Sequence, residues 1–359
     1  MYYFIFILYL SFFVICQNTI KNNKINLYIY YFFAFLIALA LGLRGNGDEY
    51  SRVYYIFPSL GNFFLEENSI YLHQKGILFA IIVAILKSLQ FNSQSLLIFF
   101  CFTSIFLNAI YFRKYTDYYF LAFLFYISHG LIFKEWSGLR MGLASAMLLP
   151  MIYCLYYGKK IRFLLLVTAA TLIQYIAVFS IFLIFLNRKF NKVILLLGIV
   201  IAIFLYKLNV ISLIVNYFIN NNFLPFYISS YFEIDNMYVY DAGIGHLKTV
   251  QQIITIILLI YFFEKYKFKT PKYYNLLFNT YYLGTLLLIV FSSYSLLAFR
   301  TGGHFYSVEP ILITYFAICF KQKLIVTNTL VFIALGVAYI NYVVFKKVLD
   351  YEFLINYIQ

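Results

Sequence analysis

Apolar runs long enough to cross a bilayer as helices recur along the whole chain, separated by short polar stretches, and this sets the class of fold before any single residue is considered. A spanning helix needs roughly 17 to 25 apolar residues. The runs lack the two-residue alternation of a membrane barrel strand. With 64% hydrophobic and 11% charged residues, the 359-residue chain has too few surface-forming side chains for a soluble core of its size. The expected fold is all-α: a polytopic helical membrane protein of about 10–12 transmembrane helices. Spans are expected at residues 2–16, 27–43, 94–112, 118–133, 139–157, 193–206, 249–263, 275–298, 304–320 and 325–345.

Two segments do not fit this series. Residues 77–86 are short for a span and run into Lys87, and residues 163–187 carry Gln174 at their centre. Basic residues collect on the cytoplasmic side of membrane proteins. The clusters Lys21/Lys24, Arg113/Lys114, Lys159/Lys160/Arg162, Arg188/Lys189/Lys192, Lys265/Lys267/Lys269/Lys272 and Lys321/Lys323 can all face the cytoplasm only if both odd segments return to the side they left. Residues 77–90 are therefore read as partly inserted or interfacial, and 163–187 as two half-helices turning near Gln174. A single tilted span at 163–187 is the alternative.

The net charge of +14 is then topology anchoring, with no nucleic-acid partner expected. Composition points to a bacterial inner membrane. The whole chain, 1–359, reads as one integral membrane domain with extracytoplasmic loops at about 44–76 and 207–248. Cys16, Cys101, Cys154 and Cys319 stand singly inside apolar runs without metal-ligand spacing, so they read as packing residues, and neither metal nor cofactor is expected.

This topology gathers the chemistry on the outer face. Nine of the thirteen acids and all four histidines fall on or near that side, together with four of the seven arginines. The densest polar island, Arg44-Gly-Asn-Gly-Asp48-Glu49-Tyr-Ser-Arg52, follows the apolar run Leu27 to Leu43 directly. Lysine fills most basic positions, so Arg44 and Arg52 look chosen for the planar fork that grips phosphate or carboxylate in two places.

A second island, Lys134 to Ala144, opens the run 139–157. Gly138, Gly142 and Ala146 share one helix face and would admit a neighbouring helix, while Arg140 adds charge to the positive end of the helix dipole. Anchoring of the span by Trp136 and Arg140 is the alternative. A third, Ala298 to Tyr306, reads as a tight connection between two spans. There Arg300 can contact an anion, Gly302 and Gly303 can let backbone N–H groups approach a ligand, and His304 can titrate near neutral pH. In the loop Asp235 to Lys248, Tyr238, Tyr240, Asp241 and His246 mix aromatic rings with hydrogen-bonding groups, as sugar-binding surfaces do.

In order and spacing these islands resemble the EpsG/Wzy-like family of polysaccharide polymerases. Arg44 to Tyr54 matches its R-x-x-x-G-x-D-x-x-x-Y type motif, and Leu139 to Ala144 its I-R-Q-x-x-A type motif. Ile173-Gln174-Tyr175-Ile176-Ala177 falls at its F-H-x-S-A type element, and Arg300 to Tyr306 at its late R-x-x-x-Y-F type motif. Departures are Asp48 directly after Gly47 with a shifted tyrosine, Met141 in place of glutamine, and Gln174 where the family often has His. A glutamine can hold a sugar hydroxyl but cannot take its proton, which moves the expected catalytic role to Asp48 or Glu49, with His304 next.

The resemblance implies a GT-C-like, metal-independent, inverting membrane glycosyltransferase. Its substrate would be an undecaprenyl-pyrophosphate-linked oligosaccharide, transferred to an acceptor sugar hydroxyl at the outer face in O-antigen, capsule or exopolysaccharide assembly. Arg140 and Arg300 would clamp the pyrophosphate, with Arg44 in support, and Arg52 would bind substrate. Gln174, Tyr240, Asp241, His246 and Tyr306 would contact substrate. A chain-length regulator is an expected partner besides membrane lipid. The alternatives are a flippase for the same lipid-linked units, or an O-antigen ligase.

Overall fold

The computed structural model describes residues 2–17, 23–45, 76–136, 138–221, 241–265, 271–320 and 322–341. Every element among them is a helix. The chain forms two compact units, one of residues 1–178 with 309–359 and one of residues 179–308.

The first unit contains α1 (Tyr2–Gln17), α2 (Asn23–Gly42), α3 (Ile77–Ser88), α4 (Ser93–Tyr115) and α5 (Tyr119–Phe125). It continues with α6 (Leu139–Tyr156) and α7 (Lys160–Ile173). Between α5 and α6 the helical path widens into π-helical turns at Tyr126–Gly130 and Ile132–Trp136. The second unit holds α8 (Leu183–Leu186), α9 (Lys192–Lys207), α10 (Val210–Asn220), α11 (Leu247–Lys265), α12 (Tyr274–Val290) and α13 (Ser295–Phe305). A 3-10 turn, Tyr306–Val308, follows, and α14 (Glu309–Cys319) and α15 (Lys323–Tyr339) return to the first unit.

Local sequence explains the boundaries. Asn92 caps α4 by accepting a hydrogen bond from the Ser95 amide at 3.1 Å, and Arg113 and Lys114 in its last turn complement the negative end of the helix dipole. Asn191 caps α9 in the same way through Val193 N at 3.2 Å. Helix α7 stops where Gln174 adopts extended backbone, and a 3-10 stretch, Tyr175–Phe182, takes over, so the helical path of this odd segment breaks at the expected residue. The twelve-residue α3 is about 18 Å long at 1.5 Å per residue, well short of a ~30 Å hydrocarbon core.

Residues 24–42, 93–115 and 139–156 each form a helix long and apolar enough to cross a membrane alone, and α9 with residues 210–217 of α10 qualifies as a pair bent by 55°. Seven shorter apolar helices accompany them among the described residues. This is a helical membrane protein.

Polar side chains tie the first unit together where water is scarce. The hydroxyl of Tyr30 on α2 donates to Ala109 O on α4 at 3.0 Å, and Tyr115 donates to Leu149 O on α6 at 2.6 Å. Tyr315 of α14 donates to Tyr115 O at 2.9 Å, and Asn341 to Ser128 O in the first π-helical turn at 3.1 Å. In the second unit Asn279 donates to the carbonyls of Leu186 and Arg188, at 2.7 and 2.6 Å, and Tyr282 to Leu195 O at 2.8 Å. Each bond satisfies a donor that would otherwise sit in hydrocarbon.

Two sequence expectations are corrected here. The run 275–298 is covered by two helices, α12 and α13, broken at 291–294, and the run 304–320 begins with the last two residues of α13 and continues through the 3-10 turn into α14. Ala298 to Tyr306 is therefore helix rather than a tight connection. Gly302 and Gly303 lie inside α13, so they do not form a loop that offers free N–H groups to a ligand. A glycine that matters for packing here is Gly284, where α12 meets α13: an added Cβ would lie 2.6 Å from Phe305 Cβ.

Gly284→Ala should therefore cost about 1–3 kcal/mol through overpacking and lower the thermal midpoint of the detergent-solubilised protein. Gly336→Ala on α15, where an added Cβ meets nothing within 4 Å, is the control and should hold or raise it. Equal midpoints would mean that α12 and α13 are not in contact at Gly284.

Candidate functional site

The first unit builds its site around Arg44. This residue ends the turn after α2 and is fully buried, 0% exposed, among the largest side chains of the core. Nη1 donates to the Glu135 carbonyl at 3.0 Å and Nη2 to the Trp136 carbonyl at 3.2 Å. Its guanidinium carbon stands 4.9 Å from the centre of the Trp136 ring. Gln94 at the start of α4 donates to the carbonyls of Gly42 and Arg44, which fixes the chain as it leaves α2. A planar fork suits two adjacent carbonyls in a way an ammonium does not.

The receiving segment is the second π-helical turn, just beyond the apolar helix Tyr119–Gly130. Lys134, Glu135 and Trp136 are all buried, at 5%, 1% and 4% exposure. The Glu135 carboxylate lies across the first turns of α6, where a Cβ on Gly142 would come within 3.2 Å of Oε1 and of the Lys134 carbonyl. Gly142 thus admits the preceding turn of its own chain, whereas the sequence pattern pointed to another helix. The hydroxyls of Tyr126 and Ser104 face the carboxylate, and Cys101 lies near both Arg44 and Glu135. Neither carboxylate oxygen is held by a close hydrogen bond, and Arg44 Nε and the Tyr126 hydroxyl are likewise buried without one. Burial pushes the Glu135 carboxyl up, to about 7.

Arg140 stands in the first turn of α6, half-buried, with its guanidinium carbon 5.4 Å from the Phe79 ring centre. No side chain caps that helix start. Gln174 is buried at the break after α7.

In the second unit the expected residues collect around α13. The strap 241–248 is pinned to α9 and to the break between α12 and α13. Asp241 accepts from the Tyr206 hydroxyl at 3.1 Å and from Gly243 N at 2.8 Å, and Ala242 N donates to Ser292 O at 2.9 Å. The His246 ring lies 4.8 Å from that of Phe299, next to Arg300, and Lys248 Nζ sits 5.2 Å from the Tyr306 ring centre. Arg300 is half-buried. His304 is 2% exposed and meets Ser180 Oγ through Nε2 at 2.7 Å, facing the interior of the unit. Asp48, Glu49, Arg52 and Tyr240 lie outside the described residues.

The model of the EpsG family matches residues 27–358, which takes in every one of these side chains. The chain belongs to the EpsG family. It is also similar to the amylovoran biosynthesis protein AmsC of Erwinia amylovora, with 23% identity over 336 residues that cover 86% of this chain and 84% of that protein. No solved structure matches it.

For this EpsG family member the structure joins two motifs that the sequence left apart. The Arg44 island and the Lys134 to Ala144 island meet through Arg44. Arg44 was expected to support a phosphate clamp; in the structure its two terminal nitrogens are engaged by the carbonyls of Glu135 and Trp136. Glu135, Trp136 and Ser180, which the structure places against Arg44 and His304, were not among the sequence candidates. The legible signal was Lys-Glu-Trp, ionisable residues directly after an apolar run, a position that usually marks function in a membrane protein.

Arg44→Ala would strand two buried carbonyls at about 1–3 kcal/mol each, so the thermal midpoint should fall, with Arg44→Lys recovering only part. An unchanged midpoint in Arg44→Ala would disprove the latch. Glu135 has its own signature. Its carboxyl titrates near 7 when folded, against an ordinary 4.5, so the protonated form is favoured by burial, and that stabilisation is lost as pH rises through this window. The midpoint of the wild type should drop relative to Glu135→Gln between about pH 5 and pH 8; parallel curves would contradict the burial of this carboxyl.

Proposed function

We propose that this protein is a repeat-unit polymerase of bacterial surface polysaccharide, transferring a lipid-pyrophosphate-linked glycan onto an acceptor sugar hydroxyl at the outer face of the cytoplasmic membrane. The observation that carries the reading is EpsG family membership over residues 27–358, supported by a relative named for amylovoran biosynthesis. The geometry of the first unit is consistent with it. Arg140 is half-exposed on an uncapped helix start, where backbone N–H groups and the helix dipole favour an anion.

In this reading Arg140 neutralises the charge that develops on the pyrophosphate leaving group. The acceptor hydroxyl attacks the anomeric carbon, the bond to the pyrophosphate oxygen breaks with its electron pair, and a basic group of the site takes the hydroxyl proton. The reaction is an inverting, GT-C-like transfer. The strap with Asp241 and His246, near Tyr306, offers ring faces and hydrogen-bonding groups suited to sugar, and Arg300 is the second candidate for donor charge.

The test is the surface-polysaccharide ladder of a strain lacking the gene, with and without the gene restored. The expected result is a single repeat unit on its acceptor, returned to a full ladder by the wild type. Loss of all surface material would favour a flippase, and long chains left on carrier lipid a ligase. Arg140→Ala and Arg300→Ala are each expected to shorten the ladder by removing an anion contact worth about 1.5–3 kcal/mol. Full ladders from both would refute their assignment.

A further inference from the structure

Buried ionisable groups normally have partners. Glu135 is held only loosely: it is 1% exposed, the Tyr126 and Ser104 hydroxyls face its carboxylate, yet both carboxylate oxygens and the Tyr126 hydroxyl fall outside close hydrogen-bond geometry, as does the Nε of the Arg44 that grips its backbone. Three neighbouring side chains thus hold polar atoms in reserve. Their placement is also specific. The Arg44 latch fastens onto the carbonyl of Glu135 itself, the carboxylate rests over Gly142 in the first turns of α6, and Arg140 stands in the first turn of that same helix. A π-helical turn supports Glu135, and such turns are enriched at functional sites.

We propose that Glu135 is the catalytic base of the transfer, the group that takes the proton of the acceptor hydroxyl. This rests on the polymerase reading above. The hydroxyl oxygen bonds to the anomeric carbon, the bond from that carbon to the pyrophosphate oxygen breaks with its electron pair, and the hydroxyl proton passes to a Glu135 carboxylate oxygen. The carboxyl later returns that proton to solvent.

The groups facing the Glu135 carboxyl are Tyr126 from its own helical path, Ser104 and Cys101 from α4, and Lys134 beside it, while Arg44 after α2 meets its backbone carbonyl. Burial keeps the carboxylate basic, while the Tyr126 and Ser104 hydroxyls and the Lys134 charge keep the ionised form accessible. Arg44 is the positioning residue for this base, because its fork sets the backbone on which Glu135 stands.

The experiment uses the purified full-length protein in lipid nanodiscs, with lipid-linked repeat units extracted from the deletion strain. Wild type should lengthen these units at a rate that rises between about pH 5 and pH 8. Glu135→Gln should accumulate as a monodisperse protein yet lose on the order of 10²- to 10⁴-fold in rate, together with that pH dependence. Glu135→Asp, with its carboxylate drawn back by one methylene, should run slowly with a displaced pH profile. A wild-type rate from Glu135→Gln, or an identical pH profile in Glu135→Asp, overturns the proposal even if Glu135→Gln fails to accumulate. No lengthening by the wild type overturns the polymerase reading and takes the base with it, whereas an active wild type with an active Glu135→Gln overturns the base alone.

Discussion

An arginine that water does not reach organises the first unit. Arg44 carries a charge into a region built from apolar helices, and desolvating a guanidinium there is compensated only when its donors meet acceptors and its face meets an electron-rich ring. Glu135 O, Trp136 O and the Trp136 indole supply these. The acceptors are main-chain carbonyls, so the contact constrains the path of the backbone rather than one rotamer. Where α2 ends, and where the helical path before α6 widens, are consequently one structural decision.

The widening itself makes the acceptors available. In a regular α-helix carbonyls are committed to the amide four residues on, leaving little for an outside donor. Two π-helical turns precede α6, and the carbonyls of Ser128, Glu135 and Trp136 accept from Asn341 and Arg44. Elsewhere the same medium is managed by tyrosine. Tyr30, Tyr115 and Tyr315 each bury a ring among apolar neighbours and deliver a hydroxyl to a helix carbonyl. The tyrosine richness that reads from the sequence as sugar-binding surface thus serves partly as interhelical fastening.

Much of the fold was legible because hydrocarbon permits few solutions. Long apolar runs had to be helices, and α2, α4 and α6 begin and end within a few residues of the positions that hydropathy assigns. The break at Gln174 was legible for the same reason, since a polar amide inside an apolar run marks a discontinuity. The break between α12 and α13 was not, because Phe291-Ser-Ser-Tyr294 is apolar enough to read as span. Periodicity also failed at Lys134 to Trp136: a π-helical turn moves side chains off the 3.6-residue register, so three consecutive residues can all be buried. The anion-site reading of Arg140 needed only its place at a helix start. The role of Arg44 needed a partner 91 residues away, which no local pattern contains.

These constraints bear on where chemistry can occur. A base for a sugar hydroxyl must be ionised often enough to act and basic enough to hold a proton, conditions that a fully solvated carboxylate meets poorly at neutral pH. Burial alone would raise the proton affinity of Glu135 until it never ionised, and a direct ion pair with Arg44 would lower it until it never accepted a proton. The structure takes an intermediate course. Arg44 is close enough to share Cys101 as a neighbour with Glu135, yet its fork is turned to the carbonyls, and the carboxylate faces the Tyr126 and Ser104 hydroxyls instead. Replacing the arginine with a lysine would free a mobile ammonium to seek the carboxylate, so the choice of arginine at position 44 follows as much from what it must not bind as from what it does.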